Sequence, residues 1–517
     1  MSKLKIFIVT VLSVIVFLLV FSPHFFHQNS LPFHIDEWHH IEQGLKMGNY
    51  GEYFKTLQAE NANRFTGIEM GFHLILFFLS QVVSLISIYQ FLPALWAVLG
   101  GLVIFYLIYK KTEHNFLIAL VAMIFFASIK SNVNITGLWF FTPLSFSIPL
   151  IYLYTYYFTE GFYKEDKKKI LYGLFFMIAL VPIHSISVLF LVPVMLFYAA
   201  LNYKFVLKNK NFFLSFLIIP ITGLLFYKYT LDIPWVDVSE HLFEQLKFKY
   251  GWGVYEIRNS FTEVYSLIGY LLAIIGAGFL LYYKKAKRFS FYLIWAIYAL
   301  FLINLYRLTG ISFLSPYQRN LYYLALSLPP LSALGFYFLT TIITRQTENF
   351  LAPQTSNDTQ KAISIKIDLT PQQKVWVKNI FVLTVSVLII AGALVGYYKL
   401  PPDLELYKVI DEDDYKTLNF LAHLPKGTVM ATPLMSAALY PIAHQNPVAK
   451  LAFYGNVEDI ERFFLKANCN EKNQIIKERN INYIVSPVPL DCPYEVIYAE
   501  HNVIYRTNAS FSTKTNK

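Results

Sequence analysis

The chain has 517 residues, of which 56% are hydrophobic and only 15% are charged, and its formal net charge is +10. Soluble proteins carry about 25% charged residues. Together with repeated apolar runs of about 20 residues, this composition excludes an ordinary soluble protein and indicates a polytopic α-helical membrane protein. Lys-rich cytoplasmic loops then explain the positive charge, and no nucleic-acid partner is expected.

The N-terminal segment resembles a signal peptide, because Lys3 and Lys5 precede an apolar stretch. This stretch is long and no small-residue cleavage site follows it, so we expect a retained signal anchor with a cytoplasmic N-terminus. Hydropathy predicts eleven spans in all, at 5–22, 91–109, 115–129, 136–158, 170–183, 186–201, 212–230, 264–283, 289–306, 320–343 and 379–398.

Segment 69–88 is ambiguous, because it is long enough to span a membrane but contains Glu69, His73 and Gln81. If it lies on the outer surface, the Lys-rich loops fall on the cytoplasmic side with the N-terminus, as positive-inside orientation requires. If it crosses, every later loop inverts. We therefore expect an interfacial juxtamembrane helix, with an ordinary twelfth span as the alternative.

The composition changes after residue 398, which divides the chain into a membrane domain (1–398) and a tail (399–517). The tail alternates helical and strand patterns, which predicts a small extracytoplasmic α/β domain. It lacks a Gly-rich phosphate loop, so a lid or acceptor-docking role is expected. Both cysteines of the chain, Cys469 and Cys492, lie in this domain. Outside the cytoplasm they are expected to form a disulfide, and in a reducing habitat they would be two thiols.

An acidic pair, Asp36 and Glu37, stands in the first external loop (23–68), within the stretch HIDEWHH (34–40). A carboxylate beside a bilayer costs free energy unless it is solvated, paired or used. One interpretation is a general base that takes the proton of an acceptor during group transfer. Another is a structural one, in which the pair caps and stabilises the first turn of the following helix.

Two other chemistries fit this loop less well. Zinc could be bound by His34, His39 and His40 with Asp36, but the spacing is not that of known zinc helices. Ion-coupled transport requires carboxylates inside the helix bundle, where the sequence has almost none.

Group transfer on the outer surface needs a donor that arrives in the lipid, because nucleotide sugars are absent there. A polyprenyl-phosphate sugar meets this need, and its departing phosphate requires cations near the outer leaflet. The candidate cations are Arg64, Lys247, Lys249, Arg258, Arg307 and Arg319. Arg319, in SPYQRNLYY, stands out because it lies at the outer mouth of a predicted span. Interface anchoring is the structural alternative for it.

Four features of the sequence together resemble the glycosyltransferase-C superfamily of polyprenyl-phosphate-sugar-dependent transferases. They are the acidic pair in a long first external loop, the segment GFHLILFFLSQVVSLISIYQFLPALWAVLGGLVIFYLIYKK (71–111), and the stretches HSISVLFLVPVMLF and QRNLYYLALSLPPLSALGF. The tail resembles the small α/β domain of the archaeal and bacterial members. This superfamily includes protein O-mannosyltransferases, aminoarabinose transferases and oligosaccharyltransferase catalytic subunits.

The resemblance implies inverting transfer of a sugar to a lipid, glycan or protein acceptor by an enzyme of the cell membrane. Asp36 would be the general base and Glu37 would assist it. Arg319 and Arg64 would hold the lipid phosphate. The expected substrate-binding residues are His34, His39, His40, Arg64, Glu69, His73, Lys249, Arg258, Arg307 and Arg319.

The tail lacks the WWD-type acceptor motif of oligosaccharyltransferase subunits, so peptide N-glycosylation is not expected. No cofactor or metal is expected, with a divalent ion near Asp36 as the alternative. A lipid or polysaccharide transporter or flippase, and a non-catalytic assembly protein, remain competing functions.

Overall fold

The structure is a computed structural model that describes residues 2–49, 51–53, 69–132, 134–217, 221, 225, 234–235, 247–249, 259–282, 288–351, 380, 383–384, 387–392, 408–450 and 457–507. Within these residues, five helices are long and apolar enough to cross a membrane, and three shorter apolar helices accompany them. The structure is therefore mainly helical, as the composition predicts, with a small sheet near the C-terminus.

In the described residues the membrane domain is mainly helical. Its helices are α1 (Lys3–Phe26), α2 (Ile35–Lys46), α3 (Met70–Ser80), α4 (Leu85–Tyr89), α5 (Leu92–Lys111), α6 (Phe116–Ala127), α7 (Pro143–Tyr163), α8 (Lys167–Leu201), α9 (Tyr203–Lys208), α10 (Lys210–Leu214), α11 (Leu267–Tyr282), α12 (Ser290–Thr309) and α13 (Tyr317–Leu351). The same domain contains two strands, β1 (Lys247–Lys249) and β2 (Ile311–Phe313), which pair with each other in antiparallel orientation.

Most predicted spans coincide with a helix, but the count of eleven is not established. Predicted spans 212–230 and 379–398 lie largely outside the described residues. The span predicted at 136–158 begins later, at Pro143, because the backbone N–H of the N-cap residue Thr142 donates to the Oγ atom of Ser145 at 2.9 Å and proline is favoured in a first turn. The preceding residues form a short 3₁₀ turn at Gly137–Trp139.

Helix α8 is a helical hairpin rather than a single rod. Its backbone is non-helical at His184, where φ is −155° and ψ is 82°. A Cβ atom on Gly173 would touch the backbone of Phe158, and the ring of Tyr198 lies 6.1 Å from the ring of Phe158. In a straight helix, residues 173 and 198 would be about 37 Å apart. The two short spans predicted at 170–183 and 186–201 are thus the two arms of this hairpin.

The ambiguous segment 69–88 contains two helices, α3 and α4, separated by a break at residues 81–84. Helix α3 has 11 residues, which gives a length of about 16 Å, whereas a membrane-crossing helix needs about 20 residues. The segment is therefore two short helices and not one helix of membrane-spanning length, and its place on the outer surface of the membrane stays a prediction.

Helices α11 and α13 cross closely through two glycines. A Cβ atom on Gly276 would collide with the carbonyl oxygen of Leu331, and one on Gly335 would collide with the carbonyl oxygen of Leu272. Small residues allow such backbone contact between helices in membranes. This crossing fixes the position of α13, which carries Arg319 near its start.

The tail folds as an α/β domain in its described part. Its helices are α14 (Glu412–Leu421), α15 (Ser436–Ala443), α16 (Val457–Glu461) and α17 (Cys469–Arg479), and its strands are β3 (Thr428–Met430), β4 (Asn446–Pro447), β5 (Ile481–Ser486), β6 (Glu495–Ala499) and β7 (Val503–Arg506). The sheet order is β4-β3-β5-β7-β6, with β3 parallel to both β4 and β5. A disulfide joins Cys469 to Cys492.

Strand β5 is buried on both faces, although its sequence alternates like a half-buried strand. Tyr483 and Val485 belong to the core on one face of the sheet, and Ile481 and Ile484 to the core on the other. Helices cover both faces of the strand, as is usual where strands are parallel.

The tail domain packs against the first external loop. Leu31 and Trp38 belong to the same hydrophobic core as Leu418, Leu439 and Val485 of the tail. Helix α2 contacts α15 directly. The helix that begins at the acidic pair is therefore held between the membrane domain and the tail domain.

Candidate functional site

The start of α2 is fixed by a capping box. His34 is the N-cap residue, and its Nδ1 atom accepts a hydrogen bond from the backbone N–H of Asp36 at 3.1 Å. The carboxylate of Glu37 accepts bonds from the backbone N–H groups of Phe33 at 3.0 Å and His34 at 3.1 Å. Such reciprocal bonds satisfy the free N–H groups of a first turn.

Glu37 also ties α2 to a distant loop. Its Oε1 atom accepts a bond from the backbone N–H of Phe141 at 2.9 Å, and the residue is only 1% exposed. Burial raises the pKa of Glu37 to about 8, while the three backbone N–H groups oppose that rise. The carboxylate expected to assist catalysis is thus enclosed by backbone donors, in the capping role that the sequence left as the alternative.

Asp36 differs from the other acids of α2, because 26% of its side chain is exposed. His34 lies close to it, with 3.5 Å between Nδ1 and the Oδ2 atom of Asp36. However, the lone pair of this Nδ1 already accepts the backbone N–H of Asp36. A nitrogen that accepts in this way carries no proton to donate. The Nδ1 atom of His34 is therefore committed to the helix cap, and it donates no hydrogen bond to the Asp36 carboxylate.

One turn beyond Asp36, helices α2 and α3 bring two histidines together. The Nδ1 atom of His40 lies 3.0 Å from the Nε2 atom of His73. The contact is possible because α2 approaches α3 through Gly44, where a Cβ atom would lie 2.7 Å from the Cβ atom of Leu76. Both histidines are buried. Burial lowers the pKa of His73 to about 3, so this imidazole is neutral.

Glu69 completes this cluster from the position just before α3. Its Oε2 atom lies 3.7 Å from Nδ1 of His40, and its side chain is 17% exposed. Burial raises the pKa of Glu69 to about 8, with a further rise from Asp36 and an opposing effect of Arg319. The charges of Asp36 and Arg319 both act on this carboxyl group, which indicates that the two side chains lie near Glu69.

The opposite side of α2 faces the tail domain. Glu42 is fully buried, and its carboxylate contacts the Nζ atoms of Lys46 at 2.5 Å and Lys450 at 2.8 Å. Burial alone would raise the pKa of Glu42, but the two ammonium groups hold it below its usual value. His39 lies on this side, where burial, His40 and Lys450 lower its pKa. The His39 ring also lies 5.4 Å from the ring of His40, so this residue adjoins both the domain contact and the histidine pair.

Arg319 reaches the site from the start of α13. Its Nη1 atom donates to the carbonyl oxygen of Ile135 at 2.8 Å and to the Oγ1 atom of Thr136 at 2.9 Å. Its charge acts on Glu69, His40 and His184. This guanidinium group is the candidate cation that the structure brings to the cluster around Asp36.

The other candidate cations have different positions. Arg307 donates to the hydroxyl of Tyr317 at 3.1 Å and the carbonyl oxygen of Asn259 at 2.9 Å, with its guanidinium group 4.5 Å from the Phe261 ring. It thus joins α12 to the neighbouring loop. Lys247 lies in β1. Arg64, Arg258 and the side chain of Lys249 lie outside the described residues.

Sequence reasoning did not single out four residues of this region. The hydroxyl of Tyr53 lies 2.9 Å from Nδ1 of His73. His184 contacts Ser187 at 2.7 Å, and Ser187 contacts the hydroxyl of Tyr323 at 2.9 Å. A histidine between two apolar runs was the available signal for His184, whereas nothing in the local sequence marks Tyr53.

No family model matches the chain, and no curated protein matches it by sequence. Solved structures, in contrast, match the chain by fold. The oligosaccharyltransferase of Archaeoglobus fulgidus, tethered to an acceptor peptide containing the NVT sequon, has a TM-score of 0.52 and 12% identity, over 94% of this chain and 69% of its own. The archaeal oligosaccharyltransferase AglB from the same organism, in complex with an inhibitory peptide and a dolichol-phosphate, has a TM-score of 0.53 with the same identity and coverage. The chain therefore has the fold of these archaeal oligosaccharyltransferases.

Proposed function

We propose that this protein is a multi-pass membrane glycosyltransferase that moves a sugar from a polyprenyl-phosphate-linked donor to an acceptor outside the cytoplasm. The N-terminus lies in the cytoplasm and the tail domain outside. The acceptor is a lipid, glycan or protein. The observation that carries the proposal is the partly exposed carboxylate of Asp36, at the start of α2, within a fold shared with oligosaccharyltransferases.

The donor class follows from the location and from the fold. Nucleotide sugars are absent outside the cytoplasmic membrane, so an activated sugar must arrive in the lipid phase. The archaeal AglB structure contains a dolichol-phosphate, a molecule of this polyprenyl-phosphate class. For this chain, the apolar surfaces between helices provide contact for the lipid, and the sugar phosphate lies at the external end of α13.

Asp36 acts as the general base in this proposal. It takes the proton of the acceptor hydroxyl or amine while the acceptor atom attacks the anomeric carbon. The bond between the anomeric carbon and the phosphate oxygen breaks on the opposite side, which inverts the configuration. The phosphate leaves with the bonding electrons. A positioned base of this kind contributes roughly 100- to 10,000-fold to a rate.

Arg319 stabilises the departing phosphate, because negative charge develops on it as the bond breaks. Two of its hydrogen bonds hold the guanidinium group against Ile135 and Thr136, so little reorganisation is needed during transfer. Glu37 supports the reaction by fixing the start of α2 through its three backbone partners.

The test is sugar transfer in proteoliposomes with a panel of radiolabelled polyprenyl-phosphate hexoses, comparing the wild type with Asp36→Asn. We expect the variant to lose at least about 100-fold in turnover while it keeps its expression and thermal stability. Glu52→Gln is a matched control, because Glu52 belongs to the same external loop but pairs with Lys426 of the tail, 3.5 Å away. It should transfer at the wild-type rate.

Two results would contradict the proposal in different ways. Normal turnover by Asp36→Asn would remove the base assignment but keep the glycosyltransferase. If the wild type neither transfers nor hydrolyses any donor, with lipid, glycan and protein acceptors supplied, the function itself is wrong and transport becomes the leading explanation.

A further inference from the structure

A cluster of three metal-ligating side chains lies beside Asp36, on two different helices. His40 is on α2, His73 is on α3, and Glu69 immediately precedes α3. Their ligating atoms all lie within 4.8 Å of one another. The closest pair is Nδ1 of His40 and Nε2 of His73, at 3.0 Å, and Oε2 of Glu69 lies 3.7 Å from the former.

These separations suit a tetrahedral metal ion. With metal–nitrogen and metal–oxygen distances of about 2.0–2.2 Å, neighbouring ligand atoms in a tetrahedral site are about 3.4 Å apart. The observed distances lie on either side of that value. Small side-chain adjustments would therefore place an ion between the two imidazoles and the carboxylate, whose ligating atoms all lie within 4.8 Å of one another.

A second observation concerns the far side of His73. Its Nδ1 atom lies 2.9 Å from the hydroxyl of Tyr53. Metal-binding histidines usually donate their other ring N–H to an oxygen, which fixes the tautomer and the orientation of the ring. A bond from Nδ1–H of His73 to Tyr53 leaves the lone pair of Nε2 directed at His40. The buried pair is thus held with one ligating nitrogen already turned inwards.

Two carboxylates and one cationic side chain surround the cluster. Glu69 is mostly buried and Asp36 lies one helical turn from His40 on the same helix, so two carboxylates approach two imidazoles. Arg319 is the cation whose charge acts on Glu69. A dication would compensate the carboxylates, and a fourth position would remain open on the side of Asp36.

We infer that His40, Glu69 and His73 bind one divalent transition-metal ion of the zinc class. Two imidazole nitrogens and one carboxylate oxygen suit Zn²⁺ or Co²⁺, whereas Mg²⁺ and Ca²⁺ prefer oxygen ligands. Three protein ligands with an open fourth position are typical of sites where zinc contacts a substrate or water. This set shares only His40 with the His34, His39, His40 and Asp36 set considered from the sequence.

Binding of the ion does not depend on the glycosyltransferase proposal. Its role does, because the open position would hold a phosphate oxygen of the donor only if such a donor binds beside Asp36. The experiment therefore measures the metal without any transfer assay, so that failure of the site and failure of the enzyme function remain separate results.

The test uses the full chain, free of any affinity tag, in detergent. The protein is stripped with a chelator and titrated with Zn²⁺ against a chromophoric competitor, and bound zinc is counted by mass spectrometry. We expect one ion per chain and a rise in Tm on binding, since a ligand that binds the folded state stabilises it. Glu69→Gln and His73→Gln should each weaken binding by at least about tenfold.

His39→Gln is the matched control, because its ring lies 5.4 Å from the ring of His40 but His39 is not one of the three side chains whose ligating atoms converge. It should bind zinc as the wild type does. Substoichiometric zinc in the wild type, or an equal affinity in all the variants, would overturn the proposal. X-ray absorption of the Zn²⁺-loaded wild type gives a second answer that needs no variant. Scattering from two imidazoles supports the site, and its absence rejects it.

Discussion

The Nζ atom of Lys450 lies 2.8 Å from the Oε2 atom of Glu42, although 408 positions separate the two residues in sequence. Their side chains are 2% and 0% exposed. Lys46 contacts the other carboxylate oxygen at 2.5 Å. This buried triad joins the helix of the acidic pair to the tail domain, and it makes the tail part of the support of the site.

Lys450→Met should destabilise the protein by roughly 3–5 kcal/mol, because it removes one partner of a buried ion pair and leaves Glu42 with Lys46 alone. The free energy of unfolding from denaturant titration measures the loss, and limited proteolysis reports release of the tail. Lys416→Met is the control, since Lys416 and its partner Asp413 are exposed and solvent screens such pairs, so this substitution should leave the stability nearly unchanged. Equal stabilities of the two variants would contradict the role given to the triad.

Glu37→Gln should destabilise the start of α2 by about 1–3 kcal/mol. Both carboxylate oxygens of Glu37 accept backbone N–H groups. An amide has one accepting oxygen, so its NH₂ group must face a donor. Thermal denaturation in detergent checks this, with Asp36→Asn as the comparison. If Glu37→Gln is as stable as the wild type, or if Asp36→Asn is the less stable variant, the division of roles between the two acids is wrong.

Arg319→Lys should reduce sugar transfer by about 100-fold, because a single ammonium group cannot hold Ile135 and Thr136 while also facing the leaving phosphate. Kinetics with the donor identified in the proteoliposome assay measure the change. Arg307→Lys is the matched variant, since Arg307 binds Tyr317 and Asn259 instead. It is expected to lower Tm with much less effect on transfer. A similar loss of transfer in both variants would show that Arg319 acts only through folding.

Gly335→Ala should disrupt the crossing of α11 and α13, because even a Cβ atom there collides with the carbonyl oxygen of Leu272. We expect a loss of several °C in Tm. Gly278→Ala on α11 is the control, since nothing lies within 4 Å of its Cβ position and alanine favours a helix over glycine by about 1 kcal/mol. Its Tm should stay equal or rise. Tolerance of Gly335→Ala would indicate that the two helices can separate without cost.

Local patterns predicted much of this fold. Apolar runs located α5, α12 and α13, and alternation of helix and strand signals located the tail domain with its two cysteines. The reversal at His184 was predicted by the two separate apolar runs at 170–183 and 186–201, whereas 69–88 was expected to be one helix and the break at 81–84 was not predicted. The predicted features depend on neighbours in sequence, for which hydrophobic periodicity and turn chemistry are direct signals.

The site was only partly predictable, because its contacts join distant segments. Asp36, His40, Glu69 and His73 were all candidates, but their grouping depends on the close approach of α2 and α3 at Gly44. The bond from Phe141 to Glu37 crosses 104 residues. No local pattern specifies which backbone N–H will meet a given carboxylate, and this is why Glu37 was expected to take part in chemistry.

The contact between Glu42 and Lys450 also bears on biosynthesis. Helix α2 emerges from the ribosome early, whereas its partners in the tail are made roughly 400 residues later. Chains generally fold from the N-terminus as they are synthesised. The helix of Asp36 must therefore wait for the tail before Trp38 and Glu42 are covered. A prematurely terminated chain would keep the long apolar helices and insert in the membrane, but it would display an incomplete site that quality control can recognise.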